Sequence, residues 1–395
     1  MFIGKNLENI RMIKGMSRKD LSIVLKVSEQ AIWQYETKNM IPEINKIYEL
    51  ADLFKVKTAY FIENQPDDFS NKSLNKSSIA FRAINYKVST KLLEKQFWQA
   101  SYLANITNYL FKFIKVPHVN ILDLARKIED DFDNHQSKYE FIKSSAILAR
   151  KVIMKDENNK NLLFNLEKNG LIVYDKKIDK DADAFSFWST NEMPYIVLGN
   201  NKGVAVRRNF DIAHELGHIL LHRHIEFSNL DPDDYRKIEQ EANDFAGEFL
   251  LPEKEFIEDF KKVLKKSNPD YLISLKEKWL VSIQTIAIRA YKLELLTSSQ
   301  YKYLWANINK KGYKYEEPLD SKLIIAKPIK MNSLIDFLFK KEMIAPNELL
   351  DRLKVKPLFL NEIAGFDPRI FDKYMDNEKE KQNGQILKIF ENNNS

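Results

Sequence analysis

Phe210-Asp211-Ile212-Ala213-His214-Glu215-Leu216-Gly217-His218-Ile219-Leu220-Leu221 is the stretch on which the reading of this chain turns. Two histidines four apart on a helix project from one face, a turn from each other. Both imidazoles can then bind one metal ion, and Glu215 stands beside it to take a proton from water. The pattern names metal-assisted amide hydrolysis as the candidate chemistry. His214 and His218 are the candidate ligands and Glu215 the candidate catalytic base. Histidine is scarce, 6 in 395 residues, so the spacing is not a by-product of a His-rich composition.

Composition bounds what surrounds the motif. A chain of 395 residues exceeds one ordinary core, and two or three domains are expected. With 44% hydrophobic and 30% charged residues it reads as a well-folded protein. No apolar run reaches the roughly 18 residues of a membrane span, and Met1 to Asn6 lead into a charged helical pattern rather than a signal peptide. Cysteine is absent, which excludes disulfides, thiolate metal sites and cysteine catalysis. The expected location is the cytoplasm. A net charge of +6 is compatible with a nucleic-acid partner without requiring one.

The first sixty-five residues alternate short helical stretches with tight breaks. Leu7, Ile10 and Ile13 form an apolar stripe that Gly15 ends. Ser17 caps the next stretch, with Asp20 at the capping-box position, and Ser28 caps Glu29 to Glu36. A fourth stretch after Pro42 buries Ile44, Ile47, Leu50 and Leu53. Two short helices joined by a tight turn, the second starting with polar residues, is helix-turn-helix grammar. Through Met16-Ser17-Arg18-Lys19-Asp20-Leu21, Val27-Ser28, Ile32-Trp33-Gln34-Tyr35-Glu36 and Ile41-Pro42, residues 5–63 resemble the Xre/phage-repressor helix-turn-helix family. The resemblance implies a five-helix domain whose Ser28, Glu29, Gln30, Trp33 and Gln34 face a DNA major groove. It also implies Arg18 and Lys38 near phosphate, with Ala31, Ile32 and Tyr35 against the core. Lys26 stands where the family carries glycine, so a strained left-handed backbone is expected there. Arg18 stands in place of a glutamine. The net charge over residues 1–65 is only +2, so binding as a homodimer to a two-fold operator in double-stranded DNA is the expected mode.

Residues 66–79 are polar and read as a linker. A long helical stretch with Trp98, Leu103, Ile106, Leu110, Phe113 and Ile114 follows, and another runs from Lys138 to Met154. Leu171-Ile172-Val173-Tyr174, Ala184-Phe185-Ser186-Phe187-Trp188 and Tyr195-Ile196-Val197-Leu198 are short apolar runs bounded by turn residues. They predict a small antiparallel sheet beside the motif helix.

A catalytic metal needs a third protein ligand. Candidates downstream are His222, His224, Glu226, Asp231, Asp233, Asp234, Glu239 and Glu241. His222 continues the motif helix, which runs past the ion, so it reads as a supporting or packing residue. The next helix, from Ile238 to Leu251, buries Ala242, Phe245, Ala246 and Phe249 and carries Glu239 and Glu241 on opposite flanks of that face. Arg207 to His222, followed by Glu241-Ala242-Asn243-Asp244-Phe245-Ala246 and Leu250-Leu251-Pro252, is similar to the ImmA/IrrE zinc metallopeptidases. The likeness extends to Ala184-Phe185-Ser186, Trp279-Leu280-Val281-Ser282, Ala287-Ile288-Arg289-Ala290 and Glu316-Glu317-Pro318, covering about residues 80–320. It implies Zn2+ as the metal and Glu241 as the third ligand, with Glu239 as the alternative.

The expected architecture is α+β and mainly helical. It runs as a helix-turn-helix domain at 1–65, the linker, a zincin-like peptidase domain at 80–265, a helical helix-turn-helix-like extension at 266–320, and a C-terminal helical region with a tail at 321–395. The function this implies is a DNA-binding regulator with a zinc peptidase domain that cleaves a specific regulatory protein. The alternative is a non-proteolytic or antitoxin-like regulator that uses the same fold to sense a ligand or hold a partner.

Overall fold

The computed structural model describes residues 1–38, 40–66, 74, 79–81, 90–155, 158–176, 184–199, 203–227 and 230–375. Most of the expected linker and the expected tail from Asn377 lie outside them. The chain opens with α1 (Gly4–Ile13), α2 (Arg18–Leu25), α3 (Glu29–Thr37), α4 (Ile44–Phe54) and α5 (Ala59–Ile62). Then come β1 (Ile79–Phe81), α6 (Thr90–Phe111), α7 (Asn120–Asp130), α8 (Lys138–Ile153) and α9 (Leu162–Lys168). Three strands, β2 (Ile172–Lys176), β3 (Ala184–Trp188) and β4 (Pro194–Gly199), precede α10 (Ala205–Leu221) and α11 (Pro232–Leu250). The remaining helices are α12 (Glu253–Lys261), α13 (Ile273–Trp279), α14 (Ile283–Lys292), α15 (Ser298–Lys310), α16 (Lys330–Lys340), α17 (Pro346–Leu353) and α18 (Pro357–Ala364). The molecule is mainly helical α+β, in agreement with the sequence.

Packing divides the chain into two compact units that do not follow the linear boundaries read from the sequence. One unit gathers residues 1–74, 87–116 and 329–395; the other gathers 75–86 and 117–328. The first unit is built on the N-terminal helices. Ser17 caps α2 in a full capping box with Asp20, and Ser28 Oγ accepts from the Ala31 amide at 3.1 Å. Glu36 on α3 is buried and tied to Arg11 Nε at 2.5 Å and Arg18 Nε at 2.7 Å, which locks α1, α2 and α3 together. Lys26 adopts the left-handed conformation expected of it, with φ 55° and ψ 46°. That conformation costs about 1 kcal/mol in a residue with a Cβ, offset here by the Val27 amide bonding Ser22 O at 3.0 Å. Gln99 of α6 donates to Ile13 O at 2.8 Å, and Tyr102 of α6 meets Phe359 of α18 edge-on at 5.4 Å. Helices far apart in sequence therefore complete this unit.

In the second unit the strand order is β1-β3-β4-β2, with β1 and β4 antiparallel to β3 and β2 parallel to β4. The sheet is thus mixed, correcting the antiparallel expectation. The signal was partly present: β4 holds the apolar run Tyr195-Ile196-Val197-Leu198 and β2 opens on Ile172-Val173-Tyr174, the signature of strands buried on both faces in parallel arrangement. Gly170 before β2 has φ 106°, and a Cβ there would lie 2.8 Å from the Val119 backbone, so the position requires glycine. Phe187 and Tyr195 stack across β3 and β4 at 4.7 Å. Trp188 Nε1 donates to Ile219 O at 3.1 Å, pinning the sheet to the end of α10. Leu280 between α13 and α14 is left-handed with φ 52°, and Ser282 caps α14 with its side chain. The start of α14 is closed off, because Glu317 accepts from the Ile283 amide at 2.8 Å and the buried Lys276 ammonium at 2.8 Å.

Candidate metal centre

α10 is buried almost all round because it lies between the sheet and α11. Its glycine permits the second contact: a Cβ at Gly217 would meet Phe245 at 3.1 Å and Ala242 at 3.3 Å. The small residues Ala242 and Ala246, both fully buried, are the matching surface on α11. α11 starts cleanly, with Asp231 accepting from the Asp233 and Asp234 amides at 2.8 Å and Pro232 in its first turn. This close approach sets the distance from which α11 side chains reach the histidines.

His214 and His218 point their Nε2 atoms at each other, 3.1 Å apart. Glu239 joins them, its Oε2 3.4 Å from His214 Nε2 and its Oε1 3.3 Å from His218 Nε2. Among the described residues these three form a metal-ligand group. Two ligand atoms at roughly 2.0–2.1 Å from a tetrahedral ion lie about 3.3 Å apart, so the three donors fit one divalent ion without rearrangement. Glu215 is fully buried on α10 next to His214.

Glu241, implied as third ligand by the sequence resemblance, is not in the group. Two residues along a helix is about 200° of rotation, so Glu239 and Glu241 cannot face the same point. Glu241 instead bonds His222 Nε2 at 2.9 Å and lies 3.1 Å from Lys138. The sequence held the cue in Glu239 and Asn243, four apart on one face of α11. Asn243 Oδ1 is 3.0 Å from His214 Nδ1. The other candidates are engaged elsewhere: His224 with Glu129 at 2.7 Å, Asp231 as a cap, Asp233 with Arg236 and Asp234 with Lys237.

The hydrogen bonds around the histidines set their tautomers. An amide oxygen only accepts, so His214 carries its proton on Nδ1 and offers Nε2 as a lone pair. His218 Nδ1 is 3.0 Å from His222 Nδ1. His222 donates Nε2–H to the Glu241 carboxylate, so its Nδ1 accepts and His218 Nδ1 donates. His218 then also presents a lone pair at Nε2. Burial pushes His222 down to about 4, which keeps it neutral and able to accept. Burial raises the carboxyl of Glu239, but in the state where the Nε2 atoms of His214 and His218 carry protons, their hydrogen bonds and charge outweigh it and hold the group well below the usual range. Glu241 is likewise raised by burial and lowered further by His222 and Lys138. Two lone pairs and a carboxylate converging in a buried space make a site that calls for a cation.

Residues 167–291 match the family model Peptidase_M78, described as the IrrE N-terminal-like domain. That segment is similar to the IrrE N-terminal-like domain. It runs from the end of α9 to the last turn of α14 and contains His214, Glu215, His218 and Glu239. The match is shorter than the 80–320 read from the sequence and stops short of the N-terminal helices. No curated protein matches the chain.

The residues implied for DNA contact share the outer side of α3. Ser28, Glu29, Gln30, Trp33 and Lys38 are exposed, Gln34 is half-buried, and Ile32 and Tyr35 are buried. Lys38 Nζ sits 5.3 Å over the Trp33 ring. Arg18 directs its Nε to Glu36, so only the outer part of its guanidinium faces away from the protein. No helix among the described residues is long and apolar enough to cross a membrane.

Proposed function

We propose that the chain is a zinc-dependent peptidase that cleaves a specific regulatory protein and carries a DNA-binding head on α2 and α3. The observation that carries this reading is the convergence of His214, His218 and Glu239 beside the buried Glu215. A Zn2+ ion held there would supply Lewis-acid polarisation of a peptide carbonyl and lower the pKa of water. The Glu215 carboxylate takes the proton of the attacking water and returns it to the leaving amine. Asn243 and the His222–Glu241 pair keep His214 and His218 in the ligating tautomer throughout. The IrrE N-terminal-like match supports a metallopeptidase-like domain. The exposed polar start of α3 supports DNA as the partner of the head.

The test is Glu215→Gln in the full chain. The variant retains stoichiometric zinc by metal analysis and loses at least about a hundredfold of cleavage, the usual range for removing a general base. Unchanged cleavage excludes the mechanism. Zinc bound by the wild type with no protein cleaved moves the reading to a non-proteolytic regulator. The head is tested by binding to an operator library, where Gln30→Ala changes the selected sequence rather than weakening binding uniformly.

A further inference from the structure

Two segments of the first unit, nearly three hundred residues apart, are versions of one another. Leu50-Ala51-Asp52-Leu53-Phe54-Lys55-Val56-Lys57 and Leu349-Leu350-Asp351-Arg352-Leu353-Lys354-Val355-Lys356 share Leu, Asp, Lys, Val and Lys at matching places. Both end a helix in a left-handed lysine, Lys55 with φ 60° and Lys354 with φ 56°. In both, the valine amide bonds back to the helix, Val56 to Ala51 O at 2.9 Å and Val355 to Leu350 O at 3.1 Å.

These turns pair with each other reciprocally. Val56 and Val355, both fully buried, form an antiparallel bridge. Lys57 N donates to Lys354 O at 2.9 Å and Lys356 N donates to Lys55 O at 3.0 Å. Lys57 Nζ reaches Asp351 at 2.6 Å and Lys356 Nζ reaches Asp52 at 2.7 Å. Each contact is answered by its mirror, the arrangement of a two-fold interface between identical surfaces. A corner that pairs this way with its own copy within the chain also carries every group needed to pair with the same corner of a second chain. Ile44, Tyr48 and Asp52 lie along one face of α4; Ile44, expected on the buried side, is 62% exposed and Tyr48 56%. The counterpart of Tyr48 on α17 is Asn347, so the apolar stripe leading into the corner stays uncovered by the internal copy.

We infer that α17 and α18 stand in for a second head at the corner between α4 and α5, and that the occupant they keep out is that corner of a second copy of this chain. The tether favours the internal pairing, because its effective concentration exceeds that of a separate chain making the same contacts. Displacing the C-terminal segment converts a monomer into a dimer joined head to head, with Asp52 and Lys57 of each chain reaching across.

The chain lacks cysteine, so engineered thiols report without background. Val56→Cys with Val355→Cys in the full chain, oxidised with diamide, forms a bridge within one chain and sediments as a monomer. Val56→Cys alone stays reduced and monomeric. With Asp351→Lys and Lys356→Glu added to Val56→Cys alone, the internal contacts turn repulsive, the mass doubles and a disulfide-linked dimer forms. Adding Asp52→Lys and Lys57→Glu restores the internal charge match and returns the monomer, which mere misfolding would not do. Failure of the first pair to bridge within one chain overturns the internal pairing. A Val56→Cys chain that stays monomeric and reduced after the charge reversal at Asp351 and Lys356 overturns the second-copy occupant.

Discussion

Glu239 and Glu241 are two residues apart, both half-buried, and opposite in role. Glu239 completes the donor triangle, whereas Glu241 acts at one remove through His222 on His218. A ligand and a partner of a ligand fail differently. Glu239→Gln is expected to abolish stoichiometric metal retention. Glu241→Gln keeps one metal per chain with affinity about 10–100-fold lower, the usual effect of deleting a hydrogen-bond partner of a ligating histidine. Competition against a chromogenic chelator measures both, and equal losses would mean that the two carboxylates had been assigned wrongly. His222→Asn discriminates further: its amide oxygen can still accept from His218 Nδ1, so it retains more affinity than His222→Leu.

At the scale of elements, the second unit depends on polar ties between helices as well as on apolar packing. Asp259 of α12 accepts from Lys278 at 2.5 Å and from the Trp279 indole at 3.1 Å, which fastens α13 to α12. Burial raises this carboxyl, but Lys278, Lys262 and Trp279 outweigh it and leave it below the ordinary range. A depressed carboxylate adds stability above its unfolded pKa of roughly 3.9 and loses it as pH falls through the lower folded value. Asp259→Asn is therefore expected to cost about 1–2 kcal/mol at pH 7 by denaturant titration. The gap to the wild type should close progressively below about pH 4. A gap that persists there would place the effect in packing rather than charge. The turns between short helices illustrate the same scale: Lys26, Lys55, Leu280 and Lys354 all take positive φ before a valine. The left-handed residue ends one helix, and in three of the four the valine enters the core: Val56, Val281 and Val355 are fully buried, while Val27 is half-buried.

For the whole molecule, two compact units, one of them holding the metal-ligand group between α10 and α11, imply two separable stabilities. A ligand that binds only the folded state stabilises it by about 2.7 kcal/mol at a hundred times its Kd. Calorimetry of the zinc-loaded chain should show two transitions, and a chelator should lower only the one belonging to the unit with α10. An equal shift of both would mean that the units unfold as one. Much of this organisation is legible in the chain itself. Helical period and caps locate α1 to α4 and α10, because they depend on neighbours three or four residues away. The His214–His218 spacing and Glu215 are readable for the same reason. Glu239 was within reach too, since Asn243, which bonds His214, lies one turn on along the same face, but the nearby Glu241 matched the motif by position and only the facing of α11 towards α10 separates them. The parallel pairing of β2 with β4, the joining of α6 and α16 to α18 with the N-terminal helices, and the bond of His222 to Glu241 rest on contacts between distant residues. Local sequence determined which helices form and which side chains share a face. Tertiary structure alone decided which faces meet, because that choice depends on apolar surface and charge supplied from elsewhere in the chain.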